Sequence, residues 1–155
     1  MHAFCDIKTA KYLPIEVAAL MGHREVVRFL LSRGAFPARA LLFAAQAGQV
    51  EVVEDMIKAN VVLELSVDGY TPLTGAIVHH RTAVVQLLLE SGVSVVRPIS
   101  SVLARAYALP ANSSVLHLAA HLGHGDVVSM LLHRHGDLRT RAAADGVTPF
   151  QASVD

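Results

Sequence analysis

The sequence predicts an all-α solenoid, in which helix-turn-helix repeats stack along a single domain covering residues 1–155. A segment of 22 residues recurs four times, it carries a glycine or histidine at a fixed place, and its later apolar residues follow a helical period. Two helices this short cannot bury their apolar faces alone, so the copies must stack. The copies read PIEVAALMGHREVVRFLLSRGA from Pro14, ALLFAAQAGQVEVVEDMIKANV from Ala40, PLTGAIVHHRTAVVQLLLESGV from Pro72 and VLHLAAHLGHGDVVSMLLHRHG from Val115.

Within each copy, an apolar pair such as Ala18-Ala19 allows a short first helix to lie close to its neighbours. A turn residue then ends this helix, and glycine suits that place because it adopts positive φ without strain. The turn residues are Gly22, Gly48, His80 and Gly123, separated by 26, 32 and 43 residues. A second, amphipathic helix follows, with valine pairs and leucine pairs in register, and it ends at Gly34, Asn60, Gly92 and Gly136.

The composition excludes several classes of protein. The chain is 53% hydrophobic, has 13 basic and 13 acidic residues, a formal net charge of zero and a mean hydropathy of +0.45. It is therefore too apolar to be a disordered tail, and it lacks the basic surface expected for binding nucleic acid or an anionic membrane. No apolar run reaches the length of about 18 residues that a membrane span needs. Because Cys5 is the only cysteine, we expect a reducing compartment, the cytoplasm, with the nucleus left open.

These motifs resemble the ankyrin-repeat family, whose pattern is Thr-Pro-Leu-His-x-Ala-Ala, then Gly-His, Val-Val and Leu-Leu. The match is carried by Thr71-Pro72-Leu73, Leu116-His117-Leu118-Ala119-Ala120, Gly22-His23, Glu25-Val26-Val27, Gly123-His124 and Thr148-Pro149-Phe150. The resemblance covers roughly residues 13–155 and implies stacked helices joined by finger-like links. It places repeats at about 13–37, 38–63, 67–95 and 112–138, with a partial fifth at 145–155. The third repeat departs from the pattern, because it has His80 where glycine is usual.

The links between copies differ in length. The first is about seven residues shorter than the family's, which predicts a tight turn around Phe36-Pro37, and the second is nearly regular with its turn at Asp68-Gly69. The third carries an insert, residues 93–114, in which we predict an extra helix from about Ser101 to Ala108, capped by Ser100 or Ser101. Long irregular segments within compact repeats are often functional. A surface elaboration without a role is the alternative.

In the family, partners contact the ends of the first helices and the finger tips, which together line a concave surface. Carried over by position, the contact residues here are Leu20, Met21, Gln46, Ala47, Asp68, Tyr70, Val78, His79, His121 and Leu122. This surface is largely apolar with few polar points, which suits a protein or peptide segment. We therefore predict a non-catalytic binding scaffold without a cofactor. The alternative in which the insert folds into the groove and buries it stays open.

A second hypothesis is a pocket for a hydrophobic small molecule. His79 and His121 fall on contact positions of adjacent repeats, and the insert 93–114 could cover them as a lid. Two imidazoles in an apolar groove could act as acid and base in a cyclisation, isomerisation or elimination without a cofactor. Whether the protein is an enzyme stays uncertain on this basis, and we favour a non-enzyme. The lid would carry Arg97, Arg105 and Tyr107, and Asp68 and Tyr70 could assist the two histidines.

The spacing of His117, His121 and His124 would place at least two imidazoles on one helical face, as in some zinc sites. A scaffold role explains them better, because His117 occupies the family's structural histidine and would hydrogen-bond across the turn at Ser114. We therefore predict no metal site. A third hypothesis is a structural role in an assembly, such as a homodimer, through uncapped ends at residues 1–12 or 145–155.

Overall fold

The structure, a computed structural model, describes residues 12–134. Nine helices lie within this range, and none of them is long and apolar enough to cross a membrane. The helices are α1 (Pro14–Met21), α2 (Arg24–Ser32), α3 (Ala38–Ala47), α4 (Val50–Lys58), α5 (Pro72–Val78), α6 (Thr82–Glu90), α7 (Ser101–Ala106), α8 (Val115–Leu122) and α9 (Gly125–Arg134).

The helices form two stacked layers. Helices α1, α3, α5 and α8 pack in succession as the inner layer, and α2, α4, α6 and α9 pack in succession as the outer layer. Each inner helix also packs against the outer helix that follows it in the chain, so the repeating unit is a helix pair. The predicted all-α solenoid is confirmed for four such pairs. The partial fifth repeat predicted at 145–155 lies outside the described residues.

Three inner helices begin with the same type of hydrogen-bonded N-terminal cap, which a different side chain forms in each. The third helical residue turns back and accepts a hydrogen bond from the backbone N–H of the residue that precedes the helix. Glu16 accepts from Leu13 at 3.0 Å through Oε1, and Thr74 accepts from Thr71 at 2.8 Å through Oγ1. His117 accepts from the N–H of Ser114 at 3.0 Å through Nδ1, as its scaffold role predicts. All three polar side chains are buried because this contact satisfies them.

The inner helices end in left-handed turns. Gly22, Gly48 and Gly123 have φ values of 79°, 75° and 76°, and His80 has a φ of 56° at the equivalent place in the third repeat. Inner helices also approach closely at Gly75, where an added Cβ would lie 2.9 Å from side-chain atoms of Leu42 and Gln46. Glycine at this place therefore sets the spacing of α3 and α5.

The short links follow the predicted turns. Helix α3 begins at Ala38, directly after the Phe36-Pro37 turn. In the longer finger, residues 60–71, Val67 and Tyr70 exchange two backbone hydrogen bonds of 2.8 and 2.9 Å across Asp68-Gly69. Asp68 and Gly69 both have positive φ, at 53° and 87°, which gives a tight hairpin turn.

The insert contains the predicted helix and rests on this finger. Helix α7 is capped by Ser100, whose hydroxyl accepts a hydrogen bond from Leu103 N at 3.1 Å. The same hydroxyl donates to the Gly69 carbonyl at 2.7 Å, and Val102 lies so close to Gly69 that an added Cβ would be 3.0 Å away. A 2.8 Å hydrogen bond from Ile99 N to Ser113 O closes residues 99–113 of the insert into a loop. The insert is therefore a closed loop fixed to the finger.

Candidate partner-binding surface

The contact residues predicted on the inner helices lie at the C-terminal end of each helix or in its turn. Met21 is 39% exposed, His79 and His121 are exposed, and the others are partly exposed. The half-buried members are Leu20, Gln46, Ala47, Val78 and Leu122. On the finger, Asp68 is exposed and Tyr70 is half-buried. The structure thus leaves every predicted contact residue at least partly accessible.

The spacing of these contact residues is fixed by bonds between repeats. The Gln49 side chain donates from Nε2 to the carbonyl of Leu20 at 3.0 Å, and Arg81 donates from Nε to the carbonyl of Gln46 at 2.9 Å. Each donor follows the turn of one repeat and reaches back to the inner helix of the repeat before it. The last turns of α1 and α3 are therefore each held in place by the repeat that follows, which keeps this part of the surface preorganised.

The inner layer carries little negative charge. Glu16 is the only carboxylate on α1, α3, α5 and α8, and it is buried. Arg39 approaches Glu16 at 4.0 Å and lies over the rings of Tyr12 and Phe43, at 5.7 and 5.3 Å from their centroids. The accessible inner surface is consequently apolar and histidine-containing, without an exposed carboxylate from the inner helices themselves.

The insert reaches this surface through one residue of the predicted lid. The Tyr107 ring meets His121 edge-on, with 6.2 Å between the ring centroids. Burial raises the pKa of Tyr107 above its ordinary value, and the neighbouring Tyr70 hydroxyl adds to the rise. Tyr107 therefore joins the finger to the fourth inner helix. Arg97 instead pairs with Glu64 at 3.6 Å.

A cavity of about 170 Å³ lies between the finger and the first part of the insert. Its walls include Ser66 and Thr71 from the finger side, and Arg97 and Ser100 from the insert. Neither His79 nor His121 lines it. The insert thus lines a partly open cavity, but the two candidate acid–base imidazoles lie outside it and are exposed.

The three histidines with zinc-like spacing have separate environments. His117 is buried at the start of α8, His121 is exposed beside Tyr107, and His124 stacks on His80 of the preceding repeat. In the part of the chain between residues 12 and 134, no three histidine, cysteine or acidic side chains are arranged to hold a metal ion.

Two further contacts between repeats were also not predicted from the sequence. Arg24 of α2 donates from Nε and Nη2 to the two carboxylate oxygens of Asp55 on α4, both at 2.9 Å. The hydrogen bond from Arg24 is the largest cause that lowers the pKa of Asp55 below its ordinary value. The second contact joins His80 to Asp126 at 2.9 Å. The first could have been found from Asp55, which occupies a motif place that is apolar in the other repeats: Phe29, Leu87 and Met130.

The described part of the chain has stacked helix pairs with accessible helix ends, which is the architecture of helical-repeat proteins. The chain belongs to the ankyrin-repeat family. A family model described as ankyrin repeats (3 copies) matches residues 36–99, and the single ankyrin-repeat model matches residues 11–39 and 112–142.

Related proteins carry the same repeats within longer chains. The sequence is 34% identical over 150 residues, 94% of this chain, to the ankyrin repeat and KH domain-containing protein mask-1 of Caenorhabditis elegans. It is 33% identical over 112 residues, 72% of this chain, to the BTB/POZ domain and ankyrin repeat-containing protein NH5.2 of Oryza sativa subsp. japonica. The protein fem-1 homolog A-like of Mus musculus is 31% identical over 81 residues, 48% of this chain. This chain spans 5%, 20% and 12% of these relatives' respective lengths.

Proposed function

We propose that the chain is a binding scaffold whose inner surface engages a protein or peptide segment. Ankyrin repeats are generally protein–protein interaction modules. The observation that supports this surface in particular is the pair of bonds from Gln49 and Arg81 to the preceding helix ends, which hold contact residues at a fixed spacing. A rigid surface loses little conformational entropy on binding.

The composition of the surface favours an apolar partner segment. Met21, Val78 and Leu122 supply apolar contact area on three inner helices, and His79 and His121 supply polar points. No exposed carboxylate lies on the inner helices, so acidic side chains next to the partner's apolar ones would meet no like charge there.

A random peptide library displayed on phage and selected on the immobilised chain tests the proposal. The inner-surface variant combines Met21→Glu with His79→Glu, both at exposed positions. The matched control combines Gln86→Glu with Ser129→Glu, which add the same charge at exposed positions of the outer helices α6 and α9. Circular dichroism establishes that both variants fold before binding is measured.

We expect peptides selected on the unmodified chain to lose at least about tenfold in affinity for the inner-surface variant, a loss of about 1.4 kcal/mol. The same peptides should bind the outer-helix control unchanged. Selected peptides that bind the inner-surface variant as well as the control would place the binding site elsewhere and refute the proposal.

The small-molecule hypothesis stays a prediction beside this one, as does cytoplasmic location. The acid–base form of the small-molecule hypothesis requires His79 or His121 inside a covered pocket, and the 170 Å³ cavity has neither in its walls. Substituting both histidines by alanine is the corresponding test, since it would abolish turnover of a substrate and leave folding intact.

A further inference from the structure

The third repeat differs from the other three at its inner turn, where His80 replaces glycine. Its φ of 56° lies in the left-handed region, which strains a residue that carries a Cβ. Histidine is tolerated there more often than most residues, and a contact that holds the imidazole helps to offset the strain.

Both contacts of the His80 ring come from the fourth repeat. Its Nε2 lies 2.9 Å and 3.0 Å from the two carboxylate oxygens of Asp126. Its plane stacks on the ring of His124, with centroids 4.0 Å apart and 7° between the planes. The turn of one repeat is thereby joined to the turn of the next.

His124 differs from the residues at the same place in the earlier repeats. Gln49 and Arg81 each donate a hydrogen bond to the preceding inner helix. The Nε2 of His124 is instead buried, with no hydrogen-bond partner in the described part of the chain. Burial, and secondarily the neighbouring His80, lower the pKa of His124 below its ordinary value of 6.5, although Asp126 acts in the opposite direction.

We propose that the stacked rings of His80 and His124, together with Asp126, form a pH-sensitive joint between the third and fourth repeats that is closed at neutral pH and loosens in mild acid. The single carboxylate of Asp126 can balance one imidazolium, and a second imidazolium 4.0 Å away would be repelled.

The other titratable and charged residues that adjoin the joint in sequence are basic. His79 and Arg81 flank His80 on its own turn, and the Arg81 guanidinium is held on the Gln46 carbonyl of α3. From the fourth repeat, exposed His121 of α8 lies one turn before His124, and Asp126 is the only carboxylate on α9. Acid therefore adds positive charge to a site with one negative group.

The direction of the effect follows from proton linkage. The folded protein binds a proton at His124 less tightly than the unfolded chain does. His124 therefore contributes stability that is fully present above the ordinary pKa of 6.5 and is lost as the pH falls below that value towards the folded pKa.

Thermal unfolding followed by circular dichroism at about pH 7.5 and about pH 5.5, on either side of the ordinary histidine pKa, tests the joint. The variant is His124→Gln, which places the residue type of Gln49 at the same motif position. The matched control is His23→Gln, because His23 holds that position in the first repeat, is exposed and has no imidazole stacked on it in the described chain.

We expect the acid-induced fall in Tm to be about 2–4 °C smaller for His124→Gln than for the unmodified chain, the size of a single-residue effect in a chain of this length. The His23→Gln control should fall as the unmodified chain does. Equal falls for His124→Gln and the unmodified chain would overturn the proposal.

A second variant keeps the test decisive if His124→Gln fails to fold. His80→Gly removes the stacked partner and introduces the residue that the other turns use at positive φ. After correction for the intrinsic effect of pH on exchange, amides of residues 76–82 and 119–126 should exchange faster at about pH 5.5 than at about pH 7.5. His80→Gly should remove that excess. An excess that persists in His80→Gly, or none in the unmodified chain, would also refute the joint.

Discussion

The outer helices of the first and third repeats carry a valine at the same motif place, in different surroundings. Val26 on α2 is 48% exposed, whereas Val84 on α6 is fully buried. Helix α4 of the preceding repeat packs against α6, and Val84 belongs to the buried core. Among the described residues, no helix covers the equivalent side of α2. At this motif place, therefore, the valine is buried in the repeats that have a described repeat before them and exposed in the first one.

The junctions themselves also differ. The first and second repeats are joined by the ion pair of Arg24 with Asp55, and the third and fourth by the stacked rings of His80 and His124. Because these polar contacts differ, we expect each junction to have its own response to pH and substitution.

The strongest test of this comparison is an aspartate at each valine. Val84→Asp should destabilise the fold by at least about 3 kcal/mol, because it buries an unpaired charge. Val26→Asp should change the free energy of unfolding by less than about 0.5 kcal/mol, as exposed substitutions do. Urea unfolding followed by circular dichroism measures both.

Equal losses would mean that the exposed side of α2, which includes Phe29 at 59% exposure, is covered in solution. Sedimentation at several concentrations would then separate the predicted homodimer from cover within one chain, since only the dimer dissociates on dilution.

A smaller effect is expected at the turn glycines. Gly123→Ala should cost about 1 kcal/mol, since φ is positive but nothing lies within 4 Å of an added Cβ. Gly48→Ala should cost about 2 kcal/mol, because its Cβ would lie 2.9 Å from Cδ of Arg81 and displace the bond from Arg81 to the Gln46 carbonyl at the end of α3. Thermal unfolding of the two variants gives the difference in stability. Equal costs would show that the Arg81 side chain moves aside without lowering the stability of the fold.

A comparably small effect is expected at the ion pair of Arg24 with Asp55. Asp55→Asn should lower the free energy of unfolding by about 1 kcal/mol at neutral pH, because one partner, Arg24, is partly exposed to solvent. The pKa of Asp55 is lowered in the fold, so its stabilisation is present above the ordinary carboxyl pKa of 3.8 and is lost as the pH falls below that value. Urea unfolding at several pH values should show the variant and the unmodified chain converging in acid. A difference in the free energy of unfolding that persists in acid would exclude the charge of Asp55 as its cause.

Local features were accessible from the sequence. The helix pairs, the turn residues, the α7 helix and the hydrogen bond of His117 each depend on residues only a few positions apart. The contacts Arg24–Asp55 and His80–Asp126 join residues 31 and 46 positions apart. They depend on how successive repeats align side chain against side chain, and the irregular links of this chain obscure that alignment. The meeting of Tyr107 with His121 depends likewise on where the insert folds.

The inner surface can be tested directly by recording amide chemical shifts of the chain, by NMR, as a phage-selected peptide is added. We expect the largest shift changes on the contact residues of the inner helices and weak changes on the exposed apolar side of α2, at Val26 and Phe29. The residues expected to shift are Leu20, Met21, Gln46, Ala47, Val78, His79, His121 and Leu122. Shift changes concentrated at Val26 and Phe29, or on the outer helices, would contradict the account.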